Sequence, residues 1–163
     1  MDIKKILNVV VCITIPLLAG FIGSFFTTSK IDTWYSTIAK PSFNPPNWIF
    51  GPVWTLLFIL IGISLFLVYN SKRKDDRKFR KLKRNALIIF TIQIVLNMLW
   101  SLLFFGLESP TLGLVGIFLL ITAIVANIIL FYRISKPAAY LLFPYLLWVL
   151  FATVLNFAIF ILN

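Results

Sequence analysis

Five long apolar runs fill most of this 163-residue chain, and none of them contains an acid, a lysine, an arginine or a histidine. They cover residues 6–26, 48–69, 85–105, 112–132 and 140–162. A helix of about 20 apolar residues crosses a hydrocarbon core. Lipid offers no partner to backbone N–H and C=O groups, so a run of this kind must satisfy them internally as a helix. The expected fold is therefore all-α, a single domain over residues 1–163 forming a five-transmembrane-helix bundle. A hydrophobic content of 61% and a mean hydropathy of +1.00 agree, since soluble domains lie far below both.

The charge-free runs also limit the chemistry. An ionisable side chain inside a membrane is costly and is kept for proton relays, ion paths or counter-ions. Here the buried polar groups are indoles, amides and hydroxyls, so no conventional acid/base or hydrolytic machinery is visible. With one cysteine, Cys12, and no histidine, no metal site and no cofactor is expected. Cys12 reads as a small buried hydrophobe.

The formal net charge of +10 is sharply localised. Residues 71–84, SKRKDDRKFRKLKR, hold nine bases and two acids. Alternating the spans puts this stretch on the same face as Lys4, Lys5, Arg133 and Lys136, leaving Lys30 and Lys40 on the other. The positive-inside rule then places the N-terminus in the cytoplasm and the C-terminus on the far side, with a bacterial cell membrane as the expected setting. The basic stretch reads as a topology determinant beside anionic membrane lipid, not as a nucleic-acid site. The first run is too long for a secretory signal core of about 7–15 residues, so it is read as a span.

The third and fourth runs, and the fourth and fifth, are joined by short connections (106–111 and 133–139), which makes each pair antiparallel neighbours. Residues 27–47 form a longer loop with Trp34, Tyr35, Pro41, Phe43, Pro45 and Pro46. Its prolines stiffen it; it reads either as a lid over the far mouth of the bundle or as a set of interfacial anchors. Pro16 and Pro144 are expected to weaken their spans locally, whereas Pro52 falls in a first turn, where proline is tolerated. Ala19 with Gly23, and Gly20 with Ser24, allow a close helix approach, inside the bundle or across a dimer seam. No internal repeat is evident, and five spans do not divide into inverted halves, which weakens a transporter reading.

In the third run Gln93, Asn97, Trp100, Ser101 and Phe104 share one helical face, which must turn away from lipid. Tyr145, Trp148, Ala152 and Asn156 make a comparable stripe in the fifth run, and Trp54 with Phe58 in the second. These groups either line one chamber or serve as packing and interhelical hydrogen bonds.

The motifs KPSFNPPNW, FGPVWT, LNMLWSLLFFG and PYLLWVLFATVLN, in this order and on these spans, resemble the TspO/MBR family, the translocator proteins or tryptophan-rich sensory proteins. The resemblance covers essentially the whole chain. It implies a homodimeric five-helix bundle that binds porphyrins such as protoporphyrin IX, and synthetic benzodiazepine-site ligands, beneath the first loop. It places Trp54, Asn97, Trp100, Trp148 and Ala152 around the ligand, with Trp34, Pro41 and Phe43 in the lid; Phe58 and Phe104, which share helical faces with these residues, complete the expected binding set. Phe43 and Phe58 depart from the tryptophan and tyrosine usual in the family. Residues 156–163, NFAIFILN, lack the tyrosine and base of the animal members' sterol motif.

The resulting reading is a membrane receptor or sensor for porphyrins and related planar apolar ligands. Alternatives are light- and oxygen-dependent porphyrin degradation, with Trp54 and Trp148 as the catalytic indoles, and transport of tetrapyrroles or sterols. A further class is a pure interaction protein with inert tryptophans.

Overall fold

The computed structural model describes residues 3–72 and 76–163. It contains α1 (Ile3–Ile31), α2 (Trp34–Thr37), α3 (Asn47–Asn70), α4 (Arg77–Ser101) continued by a π-helical turn Leu102–Gly106, α5 (Pro110–Ile134), α6 (Lys136–Tyr140) and α7 (Phe143–Leu162). Five helical stretches, with α6 and α7 acting as one, are long and apolar enough to cross a membrane. They close into a ring in which α1 contacts α3 and α4, α4 contacts α5, α5 contacts α7, and α3 meets α6 and α7. Ile61, Ile117, Leu120, Ile124, Phe131 and Leu142 fill its interior at no more than 1% exposure. Leu18, Val115, Leu147 and Val154 stay on the outside, the surface a bilayer would cover.

Several expected boundaries change, each for a local reason. The stretch 71–84 is not a continuous loop: α4 begins at Arg77, where the Asp76 side chain accepts from the Lys78 N–H. Capping by aspartate and burial of Phe79 start the helix two turns before the apolar run. Residues 73–75 of that stretch lie outside the described residues. α1 outlasts its apolar run, because Thr27, Thr28 and Ser29 turn their hydroxyls back onto the carbonyls of Gly23, Ser24 and Phe26. Pro52 lies inside α3 rather than in its first turn, since α3 already begins at Asn47. Pro144 does not weaken a long span; it occupies the first turn of α7, directly after a break at 141–142.

Pro16 leaves the Cys12 carbonyl without its helical donor, and α3 approaches closely there. A Cβ built on Gly62 would lie 2.5 Å from the Ile13 Cα and 2.9 Å from the Cys12 oxygen. Only glycine permits this approach. The small residues of α1 are used the same way, inside the bundle: a Cβ on Gly20 would meet the Phe58 ring at 2.1 Å, and one on Gly23 would lie 3.4 Å from the Ser101 hydroxyl.

Candidate functional site

α3 and α7 run antiparallel without close backbone approach along most of their length, and large rings bridge the gap. Phe50 and Trp54, four residues apart on α3, face Trp148 and Tyr145, three apart on α7. Trp54 meets Tyr145 with ring centroids 6.1 Å apart at 65°, and Phe50 meets Trp148 at 6.0 Å and 67°. Both are edge-to-face contacts, favoured by the ring quadrupole. Phe58 extends the wall by stacking on Trp54 at 5.4 Å. Asn97 on α4 donates to the Tyr145 hydroxyl at 3.1 Å, so α4 is tied to this ladder by a buried hydrogen bond. Ala152, 9% exposed, belongs to the same packed cluster.

Trp100 and Phe104 belong chiefly to a second aromatic group. They stack on each other at 5.4 Å, and Phe104 meets Trp34 at 5.5 Å and Tyr35 at 6.4 Å. Phe105 joins them, contacting Phe104 at 4.8 Å, Tyr35 at 5.5 Å and Trp34 at 6.4 Å. Adjacent residues on an α-helix point about 100° apart; the π-turn at 102–106 widens the helix at this position, where both rings face the first loop. Trp100 also packs against the main core cluster and so bridges the two groups.

The first loop lies on this second group. Tyr35 is 4% exposed and donates its hydroxyl to Asn44 Oδ1 at 2.7 Å. Burial pushes its phenol up to about 12, against the opposing effect of the Asn44 hydrogen bond. The backbone of Ala39 exchanges two hydrogen bonds with the Asn163 side chain, each 3.0 Å, which pins the loop to the end of α7. Pro41 accepts the Asn44 N–H in a turn, and Phe43 at its tip is 48% exposed. Thus Trp34 is seated on the bundle while Phe43 points away from it. The two lysines of this end are engaged locally. Lys30 pairs with Glu108 at 2.7 Å, and Lys40 donates to the Ile38 carbonyl at 3.0 Å while lying 5.0 Å from the Tyr35 ring centroid.

The amides of the expected chamber divide. Gln93 accepts from Asn127 at 2.9 Å, and Asn156 donates to the Pro110 carbonyl at 2.9 Å, so both link helices. Asn97 alone touches the aromatic ladder through a hydrogen bond among the described residues. Two indole N–H groups, Trp100 Nε1 and Trp148 Nε1, are buried without an acceptor among those residues. Phe50, Phe105 and Asn127 are the participants that sequence reasoning missed. Phe50 had a signal in its four-residue spacing from Trp54, and Asn127 in being the sole amide of its run.

A closed ring of five membrane-spanning helices with an uncharged, indole-rich interior defines a small multi-pass membrane protein with an aromatic core. Comparison with known proteins makes this specific. The model of the TspO/MBR family matches residues 12–162. The tryptophan-rich protein TspO of Archaeoglobus fulgidus is 48% identical over 159 residues, 98% of this chain and 99% of that protein. The human translocator protein is 36% identical over 144 residues, 88% of this chain and 83% of that one. The tryptophan-rich sensory protein of Cereibacter sphaeroides is 31% identical over 134 residues, 82% and 79% of the two chains. The chain belongs to the TspO/MBR family.

Proposed function

We propose that this protein is a membrane receptor for porphyrins, protoporphyrin IX among them, and for related planar apolar ligands, held against the Trp54–Tyr145 and Phe50–Trp148 rungs. The observation that carries the reading is the pair of buried indole N–H groups on Trp100 and Trp148, which have no acceptor among the described residues. A buried polar hydrogen without a partner costs about 1–3 kcal/mol, and a ligand carrying nitrogen or oxygen acceptors would offset it. A ligand already dissolved in lipid gains little from apolar burial. Ring faces, shape and a few hydrogen bonds must supply the affinity, and the ladder offers all three. Lys40 is the candidate partner for a propionate at the loop, and Lys30 would first have to leave Glu108.

Titration of the purified protein with protoporphyrin in the dark, followed by the pigment's absorption band, tests this. The expected result is saturable binding of about micromolar affinity, which corresponds to about 8 kcal/mol. Pigment uptake that rises linearly, as in protein-free micelles, would contradict it.

A second reading, light-driven degradation of the bound porphyrin by oxygen, is favoured by the Trp54–Tyr145 contact, which sets an indole beside a phenol hydrogen-bonded to Asn97. Trp54 and Trp148 would serve as electron donors next to the excited pigment. Loss of pigment only when light, oxygen and protein are all present is the expected outcome; equal bleaching with denatured protein would exclude it.

The charge asymmetry supports a cytoplasmic N-terminus and a C-terminus on the opposite face. In a Cys12→Ser background, cysteines at Lys72 and Ser109 should react with an impermeant thiol reagent from opposite faces. A homodimer is part of the same reading. Its seam would use lipid-facing residues, because Ala19, Gly20 and Gly23 already serve internal packing.

A further inference from the structure

At the basic end, opposite the aromatic ladder, two cavities share one lining residue, Thr91. One, of about 290 Å³, lies among α1, α3 and α4 and is lined by Asn8, Val11, Cys12, Leu65, Tyr69 and Phe90. The other, about 420 Å³, is a shallow groove along α4 with Leu87 and Ile88 at its floor and Arg80, Lys83 and Arg84 at its rim. Thr91 lines both. Its hydroxyl is spent on the Leu87 carbonyl at 3.0 Å, so Thr91 presents no unpaired donor to either cavity.

The groove is ordered by helical geometry. Arg80, Arg84, Leu87, Ile88 and Thr91 lie on one face of α4, charged for its first turn and apolar for the next two. Lys83 fixes this face to α3 by donating to the Tyr69 and Ser71 carbonyls, the latter at 3.1 Å. Its ammonium also lies 5.4 Å from the Tyr69 ring centroid. Lys78 belongs to the opposite side of the helix and Lys136 stands at the start of α6; neither takes part in lining the groove. The charged rim lies in the turn that immediately precedes the apolar run of the span, at the depth where lipid phosphates meet the hydrocarbon core.

We propose that this end of the bundle binds one anionic diacyl phospholipid. Its phosphate sits between Arg80 and Arg84, one acyl chain runs over Leu87 and Ile88, and the other passes Thr91 into the α1–α3–α4 cavity. Arginine offers a planar fork of donors suited to phosphate oxygens. Basic pockets between membrane helices recognise anionic headgroups in this way. A soluble phosphate would find the rim but leave both apolar volumes unfilled, and a zwitterionic lipid would fill them while placing a second positive charge at the rim. The site is independent of the porphyrin reading, sharing no residue with it.

Native mass spectrometry of the full-length protein in detergent, titrated with dioleoyl phosphatidylglycerol or dioleoyl phosphatidylcholine, tests the proposal. The first phosphatidylglycerol should bind about thirtyfold tighter than the first phosphatidylcholine, the scale expected for two arginines near a headgroup. Arg80→Gln with Arg84→Gln should abolish that preference, whereas Lys78→Gln with Lys136→Gln, equal in charge loss, should retain it. Val11→Phe, a change at a half-exposed lipid-facing position that narrows the cavity, should weaken phosphatidylglycerol severalfold without altering charge. Excess glycerol phosphate should not compete. Equal effects of the two double variants, or no effect of Val11→Phe, would show bulk charge attraction and overturn the site. Effective competition by glycerol phosphate or by an oligonucleotide would overturn it as a lipid site.

Discussion

The two ends of this bundle are built from the same apolar helices but are held together differently. At the loop end the contacts are between rigid groups: edge-to-face rings joining α3 to α7, Phe104 and Phe105 against Trp34 and Tyr35, and a reciprocal amide pair between Ala39 and Asn163. At the basic end a flexible lysine bridges α4 to α3, and two cavities that share Thr91 remain beside it. Rigid rings carry little side-chain entropy and present fixed faces, which suits recognition of a flat ligand by stacking. Long cationic chains above open apolar space suit a charged head with flexible tails. One sequence thus makes two kinds of surface, according to whether aromatic or aliphatic and basic residues face inward.

Substitutions can break this contrast at graded cost. The largest effect is expected at Gly62, where α1 and α3 cross between the two ends. Gly62→Ala forces a methyl against backbone atoms 2.5 and 2.9 Å away, so it should cost about 3 kcal/mol and be visible as a lower thermal midpoint in detergent. Gly51→Ala, with nothing within 4 Å of its added Cβ, should leave the midpoint unchanged.

At the loop end alone, Asn97→Leu strands the buried Tyr145 hydroxyl and should destabilise by about 1–3 kcal/mol. Adding Tyr145→Phe removes the stranded group, and the double variant should recover part of the loss. A thermal double-mutant cycle measures the coupling. Strictly additive losses would mean that the hydrogen bond is not what joins α4 to the ladder.

The smallest effect is one of pH on the loop. Tyr35 is raised to about 12 where it is docked, against about 10 for a solvated tyrosine. Between these values the released loop ionises while the docked one stays neutral, so docking is at full strength below about pH 10 and weakens up to about pH 12. A tyrosinate absorbance step toward about pH 12, lost in Tyr35→Phe, is the expected signature.

Much of this architecture is legible in the sequence because hydropathy reports which residues can meet lipid. The five spans, the single basic end and the inward face of the third run all follow from that rule. What hydropathy does not report is hydrogen bonding at helix ends. The start of α4 depends on one aspartate cap, α1 is prolonged by hydroxyl groups, and Pro144 opens a helix instead of disturbing one. Nor does it distinguish one chamber from two aromatic groups. Trp100 and Phe104 share a helical face with Asn97, yet the π-turn carries Phe104 and Phe105 to the loop while Asn97 meets Tyr145. That separation is set by a local change of helix geometry, for which LNMLWSLLFFG carries no sign readable from spacing.

The central claim is that the α3–α7 ring ladder is a porphyrin-binding wall. Dark titration of Trp54→Phe, Trp148→Phe and the double variant with protoporphyrin tests it directly. Each single change retains a ring but removes an indole, and loss of about 0.5–1.5 kcal/mol of aromatic interaction should weaken binding by roughly threefold to tenfold. The double variant should lose more, with its thermal midpoint close to that of the unsubstituted protein. Unchanged affinity in the double variant would mean that these indoles only fill the gap between two helices, and that the porphyrin reading of this wall is wrong.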